Sequence, residues 1–103
     1  MSRMDHLKYL TAILAMLDDR DLTIQDFAAM LFLEKHGQQK VGAIRDGINV
    51  HGAQMSRILH HLEDRGLVER QIGDDVRTFL ISLTQRGEEE SSNCIGRLEQ
   101  ALR

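Results

Sequence analysis

Between Gly52 and Leu83 the hydrophobic period changes once, and that change limits the fold more than any other feature of the chain. Met55, Ile58, Leu59 and Leu62 recur at i, i+3, i+4 and i+7, which predicts a helix over roughly Gly52 to Arg65. Gly66 ends that helix. The residues after it read with a period of two. "LVERQ" and "VRTFLISLT" predict two strands, with Val76, Thr78, Leu80 and Ser82 alternating against Arg77, Phe79, Ile81 and Leu83. The intervening "IGDD" is a hairpin signal. Upstream, Ile44 and Ile48 are one turn apart and predict a short helix over about 42–48. Asn49, which tolerates left-handed backbone, marks a tight turn. Two helices, a tight turn and a hairpin describe a winged helix-turn-helix: mainly α, with a small β-hairpin wing.

The rest of the chain supplies helices. There is no proline to interrupt them. A first helix begins between Ser2 and Asp5, both able to cap it, and Leu7, Leu10, Leu14 and Leu17 fall on one stripe. Thr23 with Asp26 three residues later is a capping-box variant that opens a second helix. Its apolar surface (Ile24, Phe27, Ala28, Met30, Leu31, Leu33) covers more than half the circumference, so several sides are buried. Gly37 closes it. A last helix starts near Thr84, with Gly87, Ser91, Ile95, Leu98 and Leu102 on a narrow stripe. An apolar stripe at each chain end predicts a homodimer through Leu7, Leu10, Leu14, Leu17, Ile95, Leu98 and Leu102. The expected organisation is one domain over 1–103: an N-terminal dimerisation helix over 1–20, the winged helix-turn-helix over 22–84 and a C-terminal dimerisation helix over 85–103.

If the four apolar residues of the Gly52–Arg65 helix point inward, Ala53, Arg57 and His60 point outward, with Gln54, Ser56 and His61 on the flanks. In a helix-turn-helix the second helix enters the major groove. Arg pairs with guanine there and Gln with adenine. The DNA-facing set is therefore Gln54, Ser56, Arg57, His60 and His61, with Arg70 from the first strand. Adjacent histidines on a helix are about 100° apart and cannot converge on one metal. His60 with Asp64 supplies two ligands, too few for a closed site. No metal or other cofactor is predicted. There is no glycine-rich phosphate loop and no nucleophile elbow, so no enzyme is predicted. The single cysteine, Cys94, excludes an internal disulfide, fits a reducing cytoplasm and is expected to pack in the dimer. No apolar run is long enough for a bilayer, so no membrane partner is predicted.

The stretch "QMSRILHHLEDRGLVER…DDVRTFLISLTQRGEE" resembles the multiple-antibiotic-resistance regulator (MarR) family of winged-helix transcription factors. The matching features are Leu62-Glu63, Gly66-Leu67-Val68, Arg70, Asp75-x-Arg77, Leu83-Thr84 and Gly87. The resemblance extends over about residues 22–90. It implies a homodimer on a pseudo-palindromic DNA operator, often as a repressor. Carried over by position, Gln54, Ser56 and Arg57 fall in the base-reading part of the recognition helix. Arg77 falls where a wing arginine reaches the minor groove, and Asp75 where it orients that arginine. The sequence departs from the pattern at Gln54, where a small hydroxyl residue is usual, at Val76, which replaces a frequent basic residue, and at Arg45, where alanine is common. The wing is about one residue short. The chain is also shorter than the family norm, with one C-terminal helix where members have two, and a small-molecule effector is left open.

The net charge of −3 points toward a rival reading, since phosphate affinity comes from Lys and Arg. The rival is a winged-helix interaction module or anti-regulator that does not bind DNA. Placement separates the two: if Arg57, Arg70, Arg77 and Arg86 share one face with the acids turned away, DNA binding survives.

Overall fold

The computed structural model describes residues 2–75, 78–101 and 103. Five helices and a small antiparallel sheet follow in the order α1 (Arg3–Asp19), α2 (Ile24–His36), β1 (Gln39–Lys40), α3 (Val41–Gly47), α4 (Gly52–Asp64), β2 (Val68–Ile72), β3 (Phe79–Leu83) and α5 (Gln85–Ala101). The helix starts are set locally. Ser2 Oγ accepts the Asp5 N–H at 3.2 Å, and the Asp5 carboxylate accepts the Ser2 N–H in return. Thr23 and Asp26 form the same reciprocal pair at 3.0 and 2.9 Å. Each box satisfies amide groups that a helix start leaves without partners. At the other end of α2, Gly37 adopts φ +75°, and at the end of α4 Gly66 adopts φ +71°. Both lie in the region where a Cβ is penalised.

The turn between α3 and α4 is built as its sequence predicts. Asn49 takes φ +57°, and the Val50 N–H returns to the Arg45 carbonyl at 3.1 Å. The turn fixes the angle at which α4 leaves α3. Met55, Ile58, Leu59 and Leu62 then all point into the core, beside Phe27, Met30 and Leu33 of α2 and Ile44 of α3. Burying a side chain of this size contributes about 1.5–3 kcal/mol, so α4 is firmly held along its inner face. Its outer face is left free of structural duty.

The sheet has strand order β1-β3-β2. Val68 pairs with Leu83, Arg70 with Ile81 and Ile72 with Phe79. Val68 and Ile81 are buried at its base, while Ile72 and Phe79 stand exposed toward the tip. β1 pairs Gln39 with Ile81 and Lys40 with Leu80. The sequence gives no sign of β1, because two residues cannot establish a period. The predicted strand residue Val76 lies outside the described residues.

Thr84 makes the corner into α5. Its hydroxyl donates to the Gly66 carbonyl at 2.5 Å and accepts the Gly87 N–H at 3.0 Å. A Cβ on Gly87 would collide with the Leu67 carbonyl, so only glycine lets α5 approach this closely. α5 then packs against α1, and an Arg20–Glu90 ion pair ties the two.

The structure divides the two predicted dimer stripes. Leu17 of α1 and Leu98 of α5 are buried inside the single chain, so they belong to its own core. Leu7, Leu10 and Leu14 are 51, 55 and 56% exposed, joined by Met4 at 74%. Ile95 is half-buried, and Leu102 lies outside the described residues. Cys94 is also fully buried within the chain. Desolvation pushes its thiol pKa up, and the neighbouring Glu90 carboxylate adds to the rise while Arg20 opposes it. Among the described residues, no helix is long and apolar enough to cross a membrane.

Candidate nucleic-acid interface

Helix α4 presents Ala53, Ser56, Arg57 and His60 to solvent, with Gln54 half-buried at the edge. The side chains of Ser56, Arg57 and His60 make no hydrogen bond or ion pair to another described residue. Three polar side chains on a helix whose opposite side is fully packed are therefore held in position but chemically unspent. Gln54 differs. Its Oε1 accepts the His51 N–H at 3.4 Å, so its carbonyl end helps close the first turn of α4.

Two grooves flank this helix. The wing-side groove, about 540 Å³, is bordered by Lys40, Ser56, His60, Arg70 and Phe79, and no carboxylate lines it. In a chain of net charge −3, such an acid-free groove is a local exception. Lys40 was not singled out in the sequence. It caps no helix with its side chain and sits in a two-residue strand, so only the fold brings it beside α4. The other groove, about 440 Å³, runs between α4 and the start of α2. Arg57, His60 and His61 share it with Asp26 and Asp64.

The remaining predicted residues are more constrained. Arg70 donates to the Glu63 carboxylate at 2.5 Å and lies over the Phe79 ring, 5.0 Å from its centroid. The guanidinium thus braces the wing against the end of α4, with its charge already matched. His61 is turned inward: its ring contacts Asp26 through Nδ1 and Arg65 through Nε2. It is a packing residue of the helix end and is not part of the outward row. Asp75 is exposed in the hairpin turn, and its carbonyl accepts the Thr78 N–H at 2.8 Å. Arg77 lies outside the described residues. Arg86 is on another side of the molecule, in a crevice with Arg20, Arg65 and Glu90, so it does not join Arg57 and Arg70 on one face. Among the described residues, no three His, Cys, Asp or Glu side chains are grouped to hold a metal ion.

A family model described as the MarR family matches residues 12–77. No curated protein matches the chain by sequence. Solved structures match closely in shape. Wild-type apo MarR from E. coli superposes with a TM-score of 0.82 at 23% identity, covering 96% of this chain and 74% of that one. A mutant MepR from a multidrug-resistant S. aureus clinical isolate gives 0.86 at 21% identity, covering 95% and 73%. A mutant MarR from E. coli complexed with operator DNA gives 0.81 at 23% identity, covering 96% and 71%. At these identities the likeness concerns the winged-helix fold, while the match over residues 12–77 concerns the family.

Proposed function

This chain belongs to the MarR family, and on that premise we propose that it is a cytoplasmic, double-stranded DNA-binding transcriptional repressor acting as a homodimer on a pseudo-palindromic operator. The observation that carries the reading is the outward row Ser56, Arg57 and His60. These polar groups have no partner among the described residues, and the helix that bears them is anchored on its other side. Base edges offer the acceptors that Arg57 needs, two of them on guanine. Gln54 retains its amide N–H groups for a base or phosphate at the edge of the same surface. Lys40 lines the acid-free groove next to it, where a sugar–phosphate strand would find a cation, and Arg70 borders the same groove while paired with Glu63. By its place in the family's pattern, Arg77 is assigned the minor-groove contact and Asp75 the support of that arginine. The relative solved with operator DNA supports this choice of partner.

The dimer rests on the α1 stripe. Met4, Leu7, Leu10 and Leu14 form a row that the single chain leaves in water, and a second copy covers it. Two copies of α4 then lie about 34 Å apart, one turn of DNA. No catalytic step is assigned.

The test is a salt-titrated gel shift with genomic fragments, followed by selection of the operator from random duplexes. Retardation that weakens with salt and is competed by one selected sequence supports the reading. No retardation even at low salt supports the rival, an interaction module, which the acidic pair Asp74 and Asp75 in the hairpin turn favours.

A further inference from the structure

Seven large apolar side chains are exposed among the described residues, and four of them, Met4, Leu7, Leu10 and Leu14, lie on α1. At 3.6 residues per turn these four fall within an arc of about 120°, opposite the core-facing Met16 and Tyr9. Thr11 stands in the same arc. Its hydroxyl donates to the Leu7 carbonyl at 2.8 Å, so its hydrogen bond is made inside α1. The exposed residues of α5 among those described are polar or glycine, Glu88, Glu89, Ser92, Asn93 and Arg97 among them. Of the two terminal helices, α1 alone has an exposed apolar row to cover.

The row ends in charges of opposite sign. Arg3 precedes Met4, and Asp18 follows Leu14 by one turn. Both are exposed and both lie within the same arc. Neither side chain makes a hydrogen bond or ion pair to another described residue. Each also stands at the end of α1 where its sign is disfavoured. The helix dipole favours acids in the first turn and bases in the last, yet Arg3 is the first residue of α1 and Asp18 the last but one. A second copy laid antiparallel answers both placements: its C-terminal end brings Asp18 to Arg3, and its N-terminal end brings Arg3 to Asp18. A parallel copy would set Arg3 against Arg3 and Asp18 against Asp18.

We infer that two copies of this chain associate through α1 laid antiparallel on α1, with Arg3 of each paired to Asp18 of the other and the two-fold axis between Leu10 and Thr11. The inference rests on the homodimer proposed above and adds its direction and register. The arrangement is isologous, so one pairing rule serves both copies. Arg3 and Asp18 are about 22 Å apart along the helix. Setting Arg3 opposite Asp18 of the partner subunit also sets Leu7 opposite the partner subunit's Leu14 and Leu10 beside the partner's Thr11. The apolar side chains then meet along the middle of the seam. The ion pairs close its ends in water, where they select direction more than they add affinity.

Sedimentation at low ionic strength, over concentrations that span monomer and dimer, compares the wild type with Arg3→Glu, Asp18→Arg and the double variant. Each single change turns two attractions per dimer into two repulsions and is expected to weaken association about three- to thirtyfold. The double variant re-forms both pairs with signs exchanged and is expected to return to within about threefold of the wild type. Both changes give α1 the charge its dipole favours at that end, so the urea midpoint is expected not to fall. Cross-linking reads the register. On mild oxidation Leu10→Cys is expected to give a disulfide-linked dimer, because the two copies of position 10 flank the axis. Leu7→Cys is not, because its two copies stand about 10 Å apart along the seam, beyond disulfide reach. The wild type, with Cys94 buried, is the blank. A dimer indifferent to the single reversals, a double variant as weak as the singles, or cross-linking at position 7 and not at position 10 overturns the inference and leaves the homodimer standing. A chain that stays monomeric at every concentration removes the homodimer and the pairing together.

Discussion

Helices α1 and α4 carry apolar residues at the same helical spacing and meet opposite fates. In α4, Met55, Ile58, Leu59 and Leu62 are all buried, because α2, α3 and the sheet enclose that side. In α1 only Met16 and Leu17, at the C-terminal end, are fully buried, while Tyr9, Ala12 and Ile13 pack partly buried against the same core. Met4, Leu7, Leu10 and Leu14 lie along the part of the helix that the protomer leaves uncovered. The periodicity of a helix thus shows that it has an apolar face to bury. It does not show whether the covering surface lies in the same chain.

The contrast can be broken most severely at α4. Leu62→Ala is expected to cost about 2–5 kcal/mol, the transfer and cavity terms together, read from the urea midpoint. A cost below that of an exposed leucine would mean that α4 is not an intrachain core helix. At α1, Leu10→Glu is expected to leave the unfolding of a single chain nearly unchanged. It should weaken self-association by about 2–4 kcal/mol, the scale of an interface hot spot. Sedimentation over a range of concentrations checks this, and unaltered association removes the α1 stripe from the interface. On the outer face of α4, Arg57→Ala is expected to cost about 1–3 kcal/mol of discrimination at one base pair per half-site, with stability unaffected. Operator affinity indifferent to this change would rule out the docking described.

The smallest expected effect concerns Cys94, on the buried side of α5 facing the region where α1 does reach the core. Its thiol pKa is raised in the fold by desolvation. The folded chain therefore holds this proton more tightly than the unfolded chain. The contribution is fully present below the ordinary thiol titration and is lost as pH rises through the raised value. Urea midpoints should decline with rising alkaline pH more steeply in the wild type than in Cys94→Ala. The native thiol should also react slowly with an alkylating reagent. Rapid alkylation of the folded protein would place Cys94 at the surface and dissolve the division drawn between the two ends of α1.

Much of the fold was legible because its signals are local. The N-cap candidates Ser2 and Asp5, the capping box at Thr23, the glycines at 37 and 66, and Asn49 at the turn each act within a few residues. The spacing Met55-Ile58-Leu59-Leu62 also identified the outward side of α4. The candidate surface was less legible. His61 and His60 are indistinguishable in sequence, yet one is locked between Asp26 and Arg65 while the other stands free. Arg70 reads as an exposed strand residue and proves to be matched by Glu63. Arg86 belongs to another side of the molecule, and Lys40 enters the wing-side groove from a strand of two residues.

The sequence by itself determined where helices start and stop, where the period changes at Gly66, and which side of α4 must be buried. Those outcomes depend on dihedral preferences and on hydrogen bonds that span a few residues. The tertiary structure alone decided which leucines of α1 and α5 are consumed by the protomer, which histidine of α4 is left free, and which cations share a groove. Each of those is a choice among partners distant in the chain. It depends on which surfaces the packed helices bring within hydrogen-bond or van der Waals reach, and no local pattern encodes that distance.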